Sequence, residues 1–293
     1  MTTTTKPASD IYAAITNRIV QDLEKGQLTW RQPWVLGHDV MRPLRWNDQP
    51  YTGINTILLW DTALNKGFES NYWMTFKQAL AMKATIRKGE KATQVVYADK
   101  FLKEEANDQG EVQSRYIPFL KSYNVFNANQ IEGLPEAFYK KPYRPIINPE
   151  LRDDRLEKYF AETKITIQTG SAACYNVSKD IVQMPAFEDF HDATSFYATL
   201  AHEITHATKH PTRLDRDFGR LKWGDEGYAK EELVAELGSC FLAADLGFEP
   251  EFREDHSAYI QSWLKVLKND KRFVFSAASH AQKAVEYLHS CQP

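Results

Sequence analysis

His202-Glu203-Ile204-Thr205-His206 is the stretch on which the reading of this 293-residue chain turns. Residues four apart on an α-helix lie one above the other on the same face, so the two imidazoles can grip one metal ion. Glu203, beside them, is poised to take a proton from water at that ion. The surrounding segment has a helical pattern: Phe196, Tyr197, Leu200, Ile204 and Ala207 form an apolar side, and Asp192 or Thr194 stands where an N-cap is expected. His210-Pro211 ends it, because the residue before a proline is pushed out of helical geometry. His210, four beyond His206, reads as a partner of the helix C-terminal dipole rather than as a ligand. The competing reading is a surface helix with two solvated histidines, so the motif needs support elsewhere.

That support is a second helical pattern, Tyr228 to Leu246, in which Leu233, Leu237, Phe241 and Ala244 are spaced to face a core. Glu232 and Glu236 lie four apart on one stripe. Like charges stacked at that spacing repel, so a cationic group is expected between them and the core. The arrangement resembles that of zincins, in which a second helix often supplies the third ligand and another acid four residues later orients one histidine. The resemblance implies Glu232 as third ligand and Glu236 as that partner, with the two roles open to exchange. A solvated acidic face is the alternative. Two histidines and a carboxylate suit Zn2+ and also accept other divalent first-row ions. Upstream, Ile165-Thr166-Ile167-Gln168 and Asp180-Ile181-Val182-Gln183-Met184 read as short strands around a turn. A strand beside such a helix can bind extended peptide by edge pairing. Tyr175, between those strands, and His256 are candidate donors to a developing oxyanion, each weighed against a structural role.

The chain is long enough for two domains, each with a core. Its 43 % hydrophobic and 26 % charged residues are ordinary for a soluble globular protein. No run of apolar residues is long enough to span a membrane, and Met1–Asp10 is polar and Thr-rich rather than a signal peptide. Three cysteines without a C-x-x-C pair indicate neither a disulfide framework nor a cysteine metal site, and a cytoplasmic location is expected. Prolines 135, 142, 145 and 149 mark a linker over residues 135–150, dividing an α+β region 1–134 from a second unit 151–293. A helix is expected over Ala8–Lys25, with Ile11, Ile15, Ile19 and Leu23 on one face, and strands over Thr93–Leu102 and Gln113–Tyr123.

The two halves differ in charge. Residues 1–140 carry 17 Lys/Arg against 15 Asp/Glu, whereas residues 141–293 carry 19 against 24. Within Thr75–Lys103, seven cations face only Glu90 and Asp99, and five of the seven tryptophans fall in the first 75 residues. Aromatics interleaved with cations suit single-stranded nucleic acid, since unstacked bases lie on exposed rings while Lys and Arg track the phosphates. Candidate contacts are Trp30, Arg31, Trp34, Arg45, Trp46, Tyr51, Trp73, Lys77, Arg87, Lys88 and Lys91. Trp60, Phe76 and Phe126 are expected in the core, whereas Trp30, Trp34, Trp46 and Tyr51, in Pro/Asn/Gly-rich loops, are expected to be exposed.

Asp10–Lys100 resembles the N-terminal single-stranded-DNA-binding domain of ArdC-type plasmid antirestriction proteins. The resemblance is carried by Ile15-Thr16-Asn17-Arg18-Ile19, Leu23-Glu24-Lys25-Gly26, Trp30 with Pro33-Trp34, and Tyr51-Thr52-Gly53-Ile54-Asn55. It continues through Tyr72-Trp73-Met74-Thr75-Phe76-Lys77-Gln78-Ala79, Arg87-Lys88-Gly89-Glu90-Lys91, and Tyr123 to Asn127 with Gln130. The second half resembles the metallopeptidase domain paired with it, through Thr199 to His206, Arg213-Leu214-Asp215-Arg216, Glu231 to Glu236, Tyr259 to Leu264, Lys271-Arg272 and Ala281 to Ala284. It implies an α+β chain of two domains, a small DNA-binding domain followed by a zincin-like, gluzincin-type metallopeptidase domain. The implied function is a protein of conjugative plasmids that binds single-stranded DNA, double-stranded DNA more weakly, and shields incoming plasmid DNA from restriction. The alternative is an active zinc protease whose substrate is a DNA-bound or restriction-related protein, with DNA binding serving only for targeting. A nuclease is disfavoured, because His/His/Glu holds one metal where clustered carboxylates would hold two.

Overall fold

The computed structural model describes residues 8–31, 41–106, 112–141, 145–219, 225–250 and 256–293, and the side chains among them except those of 8–10, 98–106, 112–119 and 256–258. The amphipathic pattern at the start of the chain forms α1 (Ala8–Glu24). It is followed by β1 (Leu44–Arg45), α2 (Ile54–Lys66), β2 (Tyr72–Met74), a short α3 (Phe76–Ala81) and β3 (Thr85–Ile86). Two long strands, β4 (Thr93–Ala106) and β5 (Val112–Asn127), then lead into β6 (Ile131–Glu132). β1 and β2 run parallel, β2 pairs antiparallel with β5, and β5 with β4, giving the sheet order β1-β2-β5-β4. The β4–β5 hairpin is longer than the apolar alternation suggests. Its ladder runs on to Ala106↔Val112, because main-chain pairing continues where one face is no longer apolar.

The second half contains α4 (Asp154–Glu162), β7 (Thr166–Thr169), β8 (Cys174–Asn176), β9 (Ile181–Met184) and α5 (Ala193–Ala207). Three further helices follow: α6 (Glu226–Leu246), α7 (His256–Asn269) and α8 (Phe273–Ser290). β9 is the centre of a three-stranded sheet, parallel to β7 and antiparallel to β8. Tyr175 therefore lies on a third strand rather than in a turn. Asp192 caps α5 by accepting from Ser195 N–H at 2.7 Å, and Asp225 caps α6 by accepting from Tyr228 N–H at 2.8 Å. α6 ends at Gly247 in the left-handed region, where a Cβ would lie 2.6 Å from Cδ of Pro145. The Pro-rich segment touches the rest of the fold at separate points: the Pro149 carbonyl accepts from Ala193 N–H at 2.8 Å and Ile147 rests on the core, while Ile146 is exposed.

α6 is buried on nearly all sides and is the axis of the molecule. Its Leu237 and Phe241 share one apolar cluster with Ile15, Ile19 and Leu23 of α1, Ile57 and Leu58 of α2, Leu267 of α7 and Val274 of α8. α1 lies against α7, and α2 against α8. The N-terminal half keeps two smaller clusters of its own, around Met74 and Ile131 and around Tyr51, Trp73 and Val125. The main core therefore runs through both halves. No helix among the described residues is long and apolar enough to cross a membrane.

Candidate metal centre

α5 sets His202 and His206 on one face, ring centroids 4.8 Å apart. α6 crosses that face and presents Glu232, with Oε2 3.5 Å from His202 Nε2 and Oε1 3.5 Å from His206 Nε2. Ligand atoms of the three buried side chains all lie within 4.8 Å of one another. Donors placed about 2.0–2.1 Å from a tetrahedral ion are roughly 3.4 Å from each other, so these spacings fit a shared cation better than direct hydrogen bonds. Both ring nitrogens of His202 are buried without a hydrogen-bond partner, a costly arrangement unless a ligand takes one of them. The electrostatics agree. Burial opposes a charge on His206, yet Glu232 and Glu231 push its ring up to about 9. Burial likewise opposes the Glu232 carboxylate, which His206 and His202 hold well below its ordinary range. The pocket favours positive charge at its centre.

His206 is oriented by Glu231, the residue before the third ligand. Its Nδ1 lies 3.0 Å from Glu231 Oε1, which leaves Nε2 facing Glu232. Arg216 forks onto Glu231, Nη2 to Oε1 at 2.7 Å and Nε to Oε2 at 2.9 Å, and also donates to Thr208 Oγ1 and to the Thr205 carbonyl. Burial disfavours the Glu231 carboxylate, but Arg216 and His206 hold it down at about 2. Glu231 does not lie on the Glu232/Glu236 stripe, so spacing along one helix face does not single it out. Where α5 crosses α6, adjacent residues of α6 reach different atoms of the same ring. The accompanying signal in the sequence is Arg213-Leu214-Asp215-Arg216, whose second arginine reaches back to the site.

Glu236 does not orient a histidine, contrary to the sequence expectation. The cation expected beside it is present, and it comes from the N-terminal half. Arg31 Nη2 donates to Glu236 Oε2 at 2.7 Å, and the indole Nε1 of Trp30 donates to Oε1 at 3.2 Å. Glu203 is buried next to the ligands on α5. Tyr175 is committed elsewhere: its hydroxyl donates to Asp180 Oδ1 at 2.8 Å, and Arg213 joins the same carboxylate to the Ala207 carbonyl at the end of α5. His256 begins α7, but its side chain lies outside the described residues. Tyr228 stands one turn before Glu232 on α6, and its hydroxyl meets that of Tyr259 at 3.0 Å. Interaction with Glu232 adds to burial in raising the Tyr228 hydroxyl well above its ordinary range. α5 and α6 approach closely at Gly238, where a Cβ would lie 2.5 Å from Cγ2 of Thr205, inside the histidine motif.

A zincin-like metallopeptidase family matches residues 154–280, and the N-terminal domain of the anti-restriction factor ArdC matches residues 9–126. The metal-free crystal structure of antirestriction protein ArdC from plasmid R388 superposes with a TM-score of 0.83 at 44 % identity, covering 96 % of this chain and 97 % of that one. The chain belongs to the ArdC antirestriction family. An Mn(II)-bound structure of the R388 protein gives a TM-score of 0.80 at 42 % identity over the same shares. Protein y4eC of Sinorhizobium fredii is 37 % identical over all of this chain and 96 % of its own length. An Escherichia coli DNA primase TraC is 34 % identical over 94 % of this chain, which spans only 26 % of that protein.

The rings and cations singled out for nucleic acid fall into three groups. Trp30, Tyr51 and Trp73 are buried, as is Arg31, so these four do not form an open surface. Pro/Asn/Gly-rich loops can fold inward when a buried partner awaits. Trp30 and Arg31 meet Glu236, and Tyr51 and Trp73 join the cluster with Val95 and Val125. Trp34 lies outside the described residues. Trp46 is 44 % exposed, and Arg45, Lys77, Arg87, Lys88 and Lys91 are also exposed, with Arg87 engaged by Glu90 at 3.2 Å. Trp60 is buried and Phe126 partly buried, but Phe76, expected in the core, is 56 % exposed. It occupies the first position of the short α3, of which only Ala79 is buried. In the parallel register of β1 and β2, Arg45 pairs with Trp73. Trp46 and Phe76 therefore leave the same end of adjacent strands.

Proposed function

We propose that this chain is an antirestriction protein that binds single-stranded DNA, protects incoming plasmid DNA from host restriction, and carries a peptidase-type metal centre. The observation that carries the reading is a buried His/His/Glu set in the second half of a chain that belongs, over its whole length, to the ArdC family. His202, His206 and Glu232 hold a divalent ion, zinc by donor set or manganese by analogy with the R388 protein. When bound, the ion supplies Lewis-acid activation of a carbonyl and of water. Glu203 is the base that removes the proton from the attacking water, and Glu231, locked by Arg216, keeps His206 in the tautomer that offers Nε2. Tyr228, one turn from Glu232, is the hydroxyl donor to the developing oxyanion, in place of Tyr175. β8 is the sheet edge beside α5 on which an extended peptide can pair.

DNA contact is assigned to the exposed rings Trp46 and Phe76 and to the exposed cations Arg45, Lys77, Arg87, Lys88 and Lys91. Exposed rings next to cations fit unstacked bases and their phosphates. Double-stranded DNA, whose bases are already stacked, is the weaker ligand. The intact, buried Glu203 favours a second reading, in which proteolysis of a DNA-bound protein is the main activity and DNA binding only raises its effective concentration. A gel-shift series with single- and double-stranded DNA over a range of salt, with metal content measured on the same preparation, tests the proposal. Tighter binding of the single strand, weakening with salt, and about one equivalent of divalent metal are expected. Equal affinity for both forms would contradict the DNA assignment, and metal-free protein that takes up no ion would contradict the metal centre.

A further inference from the structure

Thr29-Trp30-Arg31 belongs to the N-terminal family segment, yet it ends inside the helix layer that carries the metal ligands. Besides the 2.7 Å contact of Nη2 with Oε2, Arg31 Nε faces Oε1 of the same Glu236 carboxylate. Arg31 is 3 % and Glu236 1 % exposed. In so dry a place each charge is costly without the other, so the guanidinium fork fixes the carboxylate and the turn of α6 from Glu232 to Glu236. Trp30 adds a second hold. Its ring meets Trp263 of α7 edge-on, centroids 5.7 Å apart, and Trp263 Nε1 donates to the Ala229 carbonyl of α6 at 3.1 Å. Trp263 stacks on Tyr259, whose hydroxyl meets that of Tyr228. The N-terminal half thereby grips α6 on both sides of Glu232, through Trp263 and Tyr259 at positions 228–229 and through Arg31 at 236.

We propose that Arg31 and Trp30 are positioning residues of the metal centre, so that docking of the N-terminal half and metal affinity are coupled through α6. The inference rests on the metal reading above. Glu232 must meet two histidines at once, and a small slide or rotation of α6 withdraws it from both. The clasp removes that freedom before the ion arrives. Coupling of this kind is reciprocal: loosening the clasp weakens metal binding, and metal tightens the clasp. A merely structural ion pair would lower stability and leave the metal affinity of the folded protein unchanged.

The test is calorimetric titration of the full-length chain with Mn(II) at fixed pH, alongside thermal unfolding with and without the ion. Trp30→Phe keeps one aromatic ring but deletes the indole N–H that reaches Glu236 and trims the ring that meets Trp263. Arg31→Gln removes the charge, Arg31→Lys keeps it without the fork, and Arg18→Gln removes an unrelated N-terminal ion pair with Asp61. Arg31→Gln is expected to weaken Mn(II) binding by roughly 10–100-fold, the usual effect of losing a supporting contact around a metal site. Arg31→Lys should fall between it and wild type, Trp30→Phe should lose several-fold, and Arg18→Gln should match wild type. Mn(II) should raise the unfolding temperature of Trp30→Phe by less than that of wild type. Wild-type affinity in folded Trp30→Phe and in either folded Arg31 variant would overturn the coupling. A wild-type chain that takes up no Mn(II) would overturn the metal reading itself.

Discussion

The metal pocket and the proposed DNA face are built in opposite ways. His202, His206 and Glu232 are buried where two helices cross, and the supports are linked: His206 is held by Glu231, Glu231 by Arg216, and α6 by Gly238 against Thr205. Trp46 and Phe76 stand out from the ends of short elements, with their rings in solvent. A site of the first kind concentrates its free energy in a few contacts that fail together. A site of the second kind spreads it over contacts that act nearly independently. The difference teaches that substitutions in the pocket should be large and coupled, and those on the face modest and additive.

The sharpest break is expected from Glu232→Gln. Loss of a charged ligand should reduce divalent-metal affinity by more than about 100-fold, exceeding the effect of supporting residues, and equilibrium dialysis with elemental analysis checks it. Next comes Glu231→Gln, for which a roughly 10–100-fold loss is expected. Arg216 then stays buried beside a neutral partner, so a lower unfolding temperature should accompany the loss, measured by circular dichroism. Gly238→Ala separates the helices without touching a ligand. Overpacking should cost roughly 1–3 kcal/mol of stability, and metal affinity should fall with it if the crossing positions Glu232. Smallest per residue are Trp46→Ala and Phe76→Ala. Each should cost roughly 1–3 kcal/mol of single-strand affinity, and the double variant should lose about their sum. Strong non-additivity there, or independence among the pocket variants, would undo the contrast between the two sites.

The sequence made the pocket legible because metal chemistry writes itself in helical spacing. Helical spacing puts His202, Glu203 and His206 on one turn and Glu232 and Glu236 on one stripe of a second apolar helix, whereas the two-domain fold class comes from the family resemblance. Glu231 was hidden because orientation of a ring depends on how two helices cross, which no single-helix pattern contains. Glu236 was misread for the related reason that its partner, Arg31, lies 205 positions away in sequence. On the other side, composition located the aromatic and basic region but not its exposed members. Burial of Trp30, Tyr51 and Trp73 is decided by tertiary partners, and exposure of Phe76 by its place at the start of α3. Even the hairpin β4–β5 outran its apolar alternation, since main-chain pairing does not require it.

The most direct test of the account compares three full-length proteins for protection of unmodified DNA entering a restricting host: wild type, Glu203→Gln, and the double variant Trp46→Ala/Phe76→Ala. Because protection is assigned to DNA contact and Glu203 to proteolytic chemistry, Glu203→Gln should protect as well as wild type, and the double variant should protect poorly. Normal protection by the double variant together with its loss in Glu203→Gln would contradict the account and make the metal centre the seat of the antirestriction activity.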